Sequence, residues 1–129
     1  MKSLSLVLTS LVVAVSLAAC NSSGGGEGGT GSNGLPSCPS GGTDLTYANF
    51  GQAFFTNYCN GCHSSTASSR QGAPSAINFD TQAEIQARVD EIYAESGDSN
   101  NSMPPSSYAT QPSSDDRSNL TEWLSCGAP

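Results

Sequence analysis

The sequence is poor in positive charge and in coordinating side chains. Its 129 residues include four Lys and Arg together, eleven Asp and Glu, and a single histidine. Lys2 is the only lysine, so beyond residue 20 the basic side chains are Arg70, Arg88 and Arg117. Three arginines against eleven acids give that part of the chain a formal charge of −8. Such a surface repels phosphate backbones and excludes nucleic acid as a partner. One histidine excludes any chemistry that needs a histidine pair within the chain. No alternation of apolar and polar residues runs long enough to mark a strand. No apolar run reaches the roughly 18 residues of a comfortable membrane span.

What is present begins with an export signal. Lys2 precedes an apolar stretch, 4–18, broken by Ser5, Thr9, Ser10 and Ser16, so residues 1–19 read as a secretory signal peptide. The stretch ends Leu17-Ala18-Ala19-Cys20, which resembles the lipobox of bacterial lipoproteins. That resemblance implies cleavage before Cys20 and lipid on its sulfur. Asn21 is not the aspartate that retains many lipoproteins at the inner membrane. The expected location is therefore the cell envelope, at the periplasmic face of the outer membrane or the cell surface. Residues 20–37 follow with seven glycines, one charge and one large apolar residue, Leu35. They read as a flexible tether with a root-mean-square reach of roughly 23 Å.

Residues 38–129 hold all nine aromatic side chains and are expected to form one domain. It lies near the lower end of what a single core can stabilise. Phe50, Phe54, Phe55 and Tyr58 fall on one helical stripe, which predicts a helix over 47–58 with Thr46 as its N-cap. Gly51 inside that helix costs about 1 kcal/mol relative to alanine, and implies a close approach of another backbone. Thr81 and Glu84 have capping-box spacing. Ile85, Val89, Ile92 and Tyr93 follow at helical intervals, so a second helix is expected over 82–96, ended by Gly97. A third starts at Ser113, presents Leu120, Trp123 and Leu124, and stops at Gly127. Residues 64–75 and 98–111 read as long loops. Loops of that length in so small a domain imply a large ligand to wrap.

Cys59-Asn60-Gly61-Cys62-His63 is a C-x-x-C-H run, the attachment signature of c-type haem. Each thiol can add across one vinyl group, and the following histidine is held under the iron. With Cys20 assigned to lipid and these two to haem, Cys38 and Cys126 remain of five cysteines. In an exported protein they are expected to pair. Closing so long a loop is worth roughly 4–5 kcal/mol on a chain-entropy treatment.

These residues together resemble class I, single-haem cytochromes c. Gly51-x-x-x-Phe55-x-x-x-Cys59-x-x-Cys62-His63 is similar to the family's N-terminal helix and haem site. Leu120-x-x-Trp123-Leu124 is similar to its C-terminal helix, whose aromatic packs near that glycine. Met103-Pro104-Pro105 resembles the loop that supplies the distal methionine. Gly72-Ala73-Pro74 resembles the loop whose proline carbonyl accepts the histidine N–H. The resemblance implies an all-α fold wrapped around one covalent haem c, with cofactor contacts from Cys59, Cys62, His63, Pro74 and Met103. His63 and Met103 would be the iron ligands. It implies electron transfer between redox protein partners rather than an enzyme, close to a membrane reached through the Cys20 anchor.

Several readings stay open on the sequence. Phe55, Phe79, Tyr93 and Trp123 serve either the haem wall or the ordinary core. Arg70 and Arg88 are the candidates to neutralise haem propionates. An open iron site would make the protein a sensor or a haem enzyme subunit. A haem-free dithiol or zinc site on Cys59, Cys62 and His63 lacks a βαβ context for the former and a fourth ligand for the latter.

Overall fold

A computed structural model describes residues 34–98 and 100–129. The expected signal peptide, the expected lipidation site Cys20 and most of the expected tether lie outside the described residues. Every regular element among the described residues is helical, which makes the domain all-α. None of these helices is long and apolar enough to cross a membrane.

The first helix has its expected ends but an irregular start. Thr46 caps it reciprocally with Asn49, through bonds of 3.1 and 2.7 Å. The opening turn, Tyr47–Gly51, is π-helical, and α1 follows over Gln52–Tyr58. Gly51 N–H reaches Thr46 O at 3.1 Å across the wide turn. What crowds Gly51 is the Trp123 ring, not another backbone. A Cβ there would stand 2.6 Å from the indole.

The helix expected over 82–96 is two helices, α2 at Gln82–Gln86 and α3 at Val89–Ser96. The Thr81–Glu84 capping box opens α2 as its spacing implied. Neither Ala87 nor Arg88 is a helix breaker, so local propensity does not make the break. Tertiary anchors override it: Gln82 and Gln86 both donate to Ala128 O, at 2.9 and 3.0 Å, while α3 packs along the last helix.

That last helix, α4, spans Ser114–Ser125 behind a Ser113–Asp116 capping box. Gly127, at φ 81°, closes it. Gly127 N–H bonds Leu124 O and Ala128 N–H bonds Trp123 O, the paired 5→2 and 6→1 bonds of a Schellman end. The tail is then locked against the first helix. Pro129 O accepts from Tyr47 N–H at 2.7 Å and from Trp123 Nε1 at 3.1 Å.

Trp123 is the hub of the core. It is fully buried, with Phe50 at 5.9 Å and Phe55 at 6.2 Å between ring centroids. Phe55 carries the contact on to Phe79 at 5.2 Å. Phe54, Ile85, Ile92, Leu120, Leu124 and Ala128 are buried with them. Leu35, assigned to the tether on composition, is also buried in this cluster, so packing begins before residue 38. Cys38 and Cys126 form a disulfide with Cα atoms 4.6 Å apart, tying the start of the domain to the end of α4.

Candidate functional site

Helix α1 delivers the C-x-x-C-H run directly. Its last turns continue through Cys59 N–H to Phe55 O (3.0 Å) and His63 N–H to Cys59 O (2.9 Å). The two cysteines and the histidine therefore leave one continuous coil of backbone. They line a mostly apolar cavity of about 460 Å3, whose wall also includes Phe55, Phe79, Ile92, Pro74 and Met103. That volume lies within the range of roughly 300–1,000 Å3 usual for bound cofactors. All five residues expected to touch a cofactor thus border one space, although Pro74 and Met103 come from different loops.

His63 is half-buried and held in a defined orientation. Its Nδ1 lies 3.2 Å from Ile77 O, and its ring lies 5.1 Å from that of Phe79. A carbonyl only accepts, so Nδ1 is the donor in this bond and Nε2 is the ring nitrogen left for another partner. Phe79 N–H returns a bond to His63 O at 2.8 Å. The acceptor is therefore Ile77, not the expected Pro74. Pro74 O is taken by Arg70 Nη2 at 2.7 Å.

Arg70 bonds both of these carbonyls. Its Nη1 donates to Ser64 O (2.6 Å) and Asn78 Oδ1 (2.8 Å). Nη2 donates to Pro74 O and to Ile77 O (2.7 Å), and Nε to Ala73 O (3.2 Å). All five guanidinium N–H groups are spent on the 64–78 loop. Arg70 borders the cavity but braces this loop, and has no N–H left for a propionate. Arg88 lies off the cavity wall and pairs with Glu91 at 2.7 Å. Neither arginine is placed as the propionate partner expected from their scarcity. Of the four aromatics left open, Phe55 and Phe79 form the wall, whereas Trp123 and Tyr93 pack between elements.

The 98–111 loop also borders the cavity, through Met103 and its neighbours. Met103 is 39% exposed, the one large apolar side chain so open among the described residues. Its backbone is fixed from two helices: Met103 N–H donates to Glu95 O on α3 at 2.9 Å, and Met103 O accepts from Arg117 Nη1 on α4 at 3.1 Å. Tyr108, on the same loop, lies over the C-x-x-C-H turn, where a Cβ on Gly61 would meet its hydroxyl at 2.5 Å. Sequence reading missed Ile77, Tyr108 and Arg117. An acceptor carbonyl and a loop tyrosine leave no pattern in a single sequence.

Burial sets the Cys59 thiol apart from a metal or exchange role. Burial pushes the Cys59 thiol up to about 12; Arg117 pulls it partly back, and Cys62 adds to the rise. A thiol so placed is protonated at neutral pH and is a poor zinc ligand and a poor exchange nucleophile. Among the described residues, no group of three His, Cys, Asp or Glu side chains converges as a metal site. Beside the histidine, hydrogen bonds from the Ser64 hydroxyl and the Ser65 N–H hold the Asp80 carboxyl below its usual value. The Ser65 bond is 2.8 Å long.

The donor set suits a covalently attached haem: two adjacent thiols, an imidazole with a free Nε2, a thioether and an apolar wall. Asn60, between the thiols, has a buried Oδ1 with no protein partner, an acceptor still to be satisfied in this turn. No protein-family model, no curated protein and no solved structure matches the chain.

Proposed function

We propose that this protein is a membrane-tethered electron carrier with one c-type haem held by Cys59 and Cys62 and ligated by His63 and Met103. The observation that carries the reading is the gathering of these four side chains on one apolar cavity. A haem bound there supplies a one-electron couple at its iron. The chain supplies the rest. Cys59 and Cys62 fix the macrocycle through two thioether links. His63 presents Nε2, and the Ile77 carbonyl holds its tautomer and ring orientation. Met103 offers its sulfur, a ligand that favours the reduced state relative to a second nitrogen. Phe55, Phe79 and Ile92 keep water from the wall. The raised Cys59 thiol and, among the described residues, the lack of a converging ligand cluster weigh against the dithiol and zinc readings.

The lipobox-like run before Cys20 supports a lipid-anchored domain in the cell envelope, at the periplasmic face of the outer membrane or the cell surface. Its partners are redox proteins met within reach of the tether. The excess of acid suits a cationic partner.

Absorption spectroscopy tests the reading after expression with a cytochrome c maturation system. It predicts a Soret band, a sharp α band and a weak methionine–iron charge-transfer band. Met103→Ala should abolish the last and lower the reduction potential, since no second methionine lies in 38–129. A five-coordinate wild-type spectrum would replace the carrier with an open-site sensor or haem enzyme subunit. Absence of any Soret band would overturn haem binding itself.

A further inference from the structure

We propose that Arg117 is a positioning residue of the site: a buried cation that straps the Met103 loop to α3 and α4 and holds the redox centre toward its reduced state. The second half rests on the haem reading above; the first does not.

Arg117 is 7% exposed, in a domain with only two other basic side chains. Burying an unpaired ion costs several kcal/mol. Yet no carboxylate pairs with it, because the sole ion pair among the described residues is Arg88–Glu91. Its compensation is made of carbonyl dipoles. Nη1 lies 2.8 Å from Ser96 O, 2.9 Å from Asn100 O and 3.1 Å from Met103 O. Ser96 is the last residue of α3, so its carbonyl belongs to the unsatisfied, negative end of that helix. Asn100 and Met103 lie on the loop that follows. One nitrogen therefore joins three pieces of chain: its own helix, the end of α3, and the backbone of Met103. With Met103 N–H bonded to Glu95 O, the peptide groups on both sides of that residue are fixed, while its side chain stays at the cavity.

The charge acts as well as the bonds. Carbonyl dipoles solvate a cation but do not cancel its net charge. Arg117 reaches the cavity lining at Met103 O. A fixed positive charge beside a site that gains positive charge on oxidation disfavours the oxidised form. Low local dielectric enlarges the effect. Holding a strap and setting a potential are separable roles, because lysine keeps the charge but not the planar fork.

Two variants of the full holoprotein separate them. Arg117→Lys should leave the midpoint potential close to wild type, while hydrogen exchange at the Met103 amide quickens by about tenfold. Arg117→Gln should quicken the exchange similarly and also lower the potential. The strap is refuted if Met103 exchange is unchanged in Arg117→Lys. The electrostatic role is refuted if Arg117→Gln, folded and loaded, keeps the wild-type potential, or if Arg117→Lys lowers it as far as Arg117→Gln does. Haem content, read on the same samples, distinguishes failure of the parent reading. Should no haem be attached, the potential claim falls with it and the exchange result still decides the strap. If Arg117→Gln fails to fold, Arg117→Lys carries both tests, since unchanged exchange or a lowered potential in it refutes the corresponding half.

Discussion

The histidine side and the methionine side of the cavity are built in opposite ways. His63 follows an α-helix by four residues, and a single side chain, Arg70, braces the adjoining loop with five hydrogen bonds. Its ring has both a carbonyl partner and an aromatic neighbour. Met103 sits in an irregular loop, is 39% exposed, and is fixed through its backbone by residues on two separate helices. The first half is rigid by local construction. The second depends on the packing of α3 and α4 behind it. Stress on the domain should loosen the methionine side first, leaving the histidine side intact.

The largest effect should come from the structure beneath both sides. Trp123→Ala removes the ring that meets Gly51, Phe50 and Phe55. It should cost about 3–5 kcal/mol, measured by denaturant unfolding, and should release both sides together. A cost below about 1 kcal/mol would remove Trp123 from the centre of the core. Next, replacing Cys38 and Cys126 by serine should cost about 2–5 kcal/mol. Because that bridge ends at α4, exchange in the 98–111 loop should rise more than exchange around residue 63. The reverse order would contradict the comparison.

Arg70→Gln sharpens it from the other side. Losing a braced charged donor should cost about 1.5–3 kcal/mol. Solvent exchange of the His63 Nδ1 proton should speed up, because the loop carrying Ile77 O is released. Met103 amide exchange should stay as in wild type; an equal rise there would show that the two sides are one unit.

How much of this was legible in the sequence follows the same division. The capping residues Thr46, Thr81 and Ser113 marked three helix starts correctly, because a cap is a local chemical event between residues three apart. The C-x-x-C-H run is local in the same sense, and its two cysteines and histidine border one cavity. The break at residues 87–88 was invisible, since its cause is Ala128 O, more than forty positions away. The partner of His63 was misplaced by three residues, from Pro74 to Ile77, because the path of an irregular loop sets which carbonyl faces the ring. Leu35 looked like part of the tether on composition, and only its burial assigns it to the core. The buried state of Arg117 likewise had no local mark.

The smallest effect expected is in the pH dependence. Asp80 has its carboxyl lowered by the bonds from Ser64 and Ser65, and Asp116 has its own lowered by the N–H of Ser113. Depressed carboxylates stabilise the fold above their ordinary value of 3.8, and that contribution is lost as pH falls through the depressed values. Stability should therefore be level with respect to these two groups from neutral pH to about 5, then decline below it. Asp80→Asn should flatten the decline. Since Asp80 braces Ser65 beside His63, the acid-induced change should register at the histidine side. An unchanged acid slope in Asp80→Asn would deny Asp80 this role.

The central claim is that Cys59 and Cys62 carry a covalent haem beneath which His63 is held. Intact mass spectrometry of the denatured protein, after expression with a cytochrome c maturation system, tests it most directly. The account predicts the mass of the polypeptide plus one haem, lost when both cysteines are replaced by serine. A polypeptide of unmodified mass that nonetheless folds to a helical, cooperatively melting domain would contradict it.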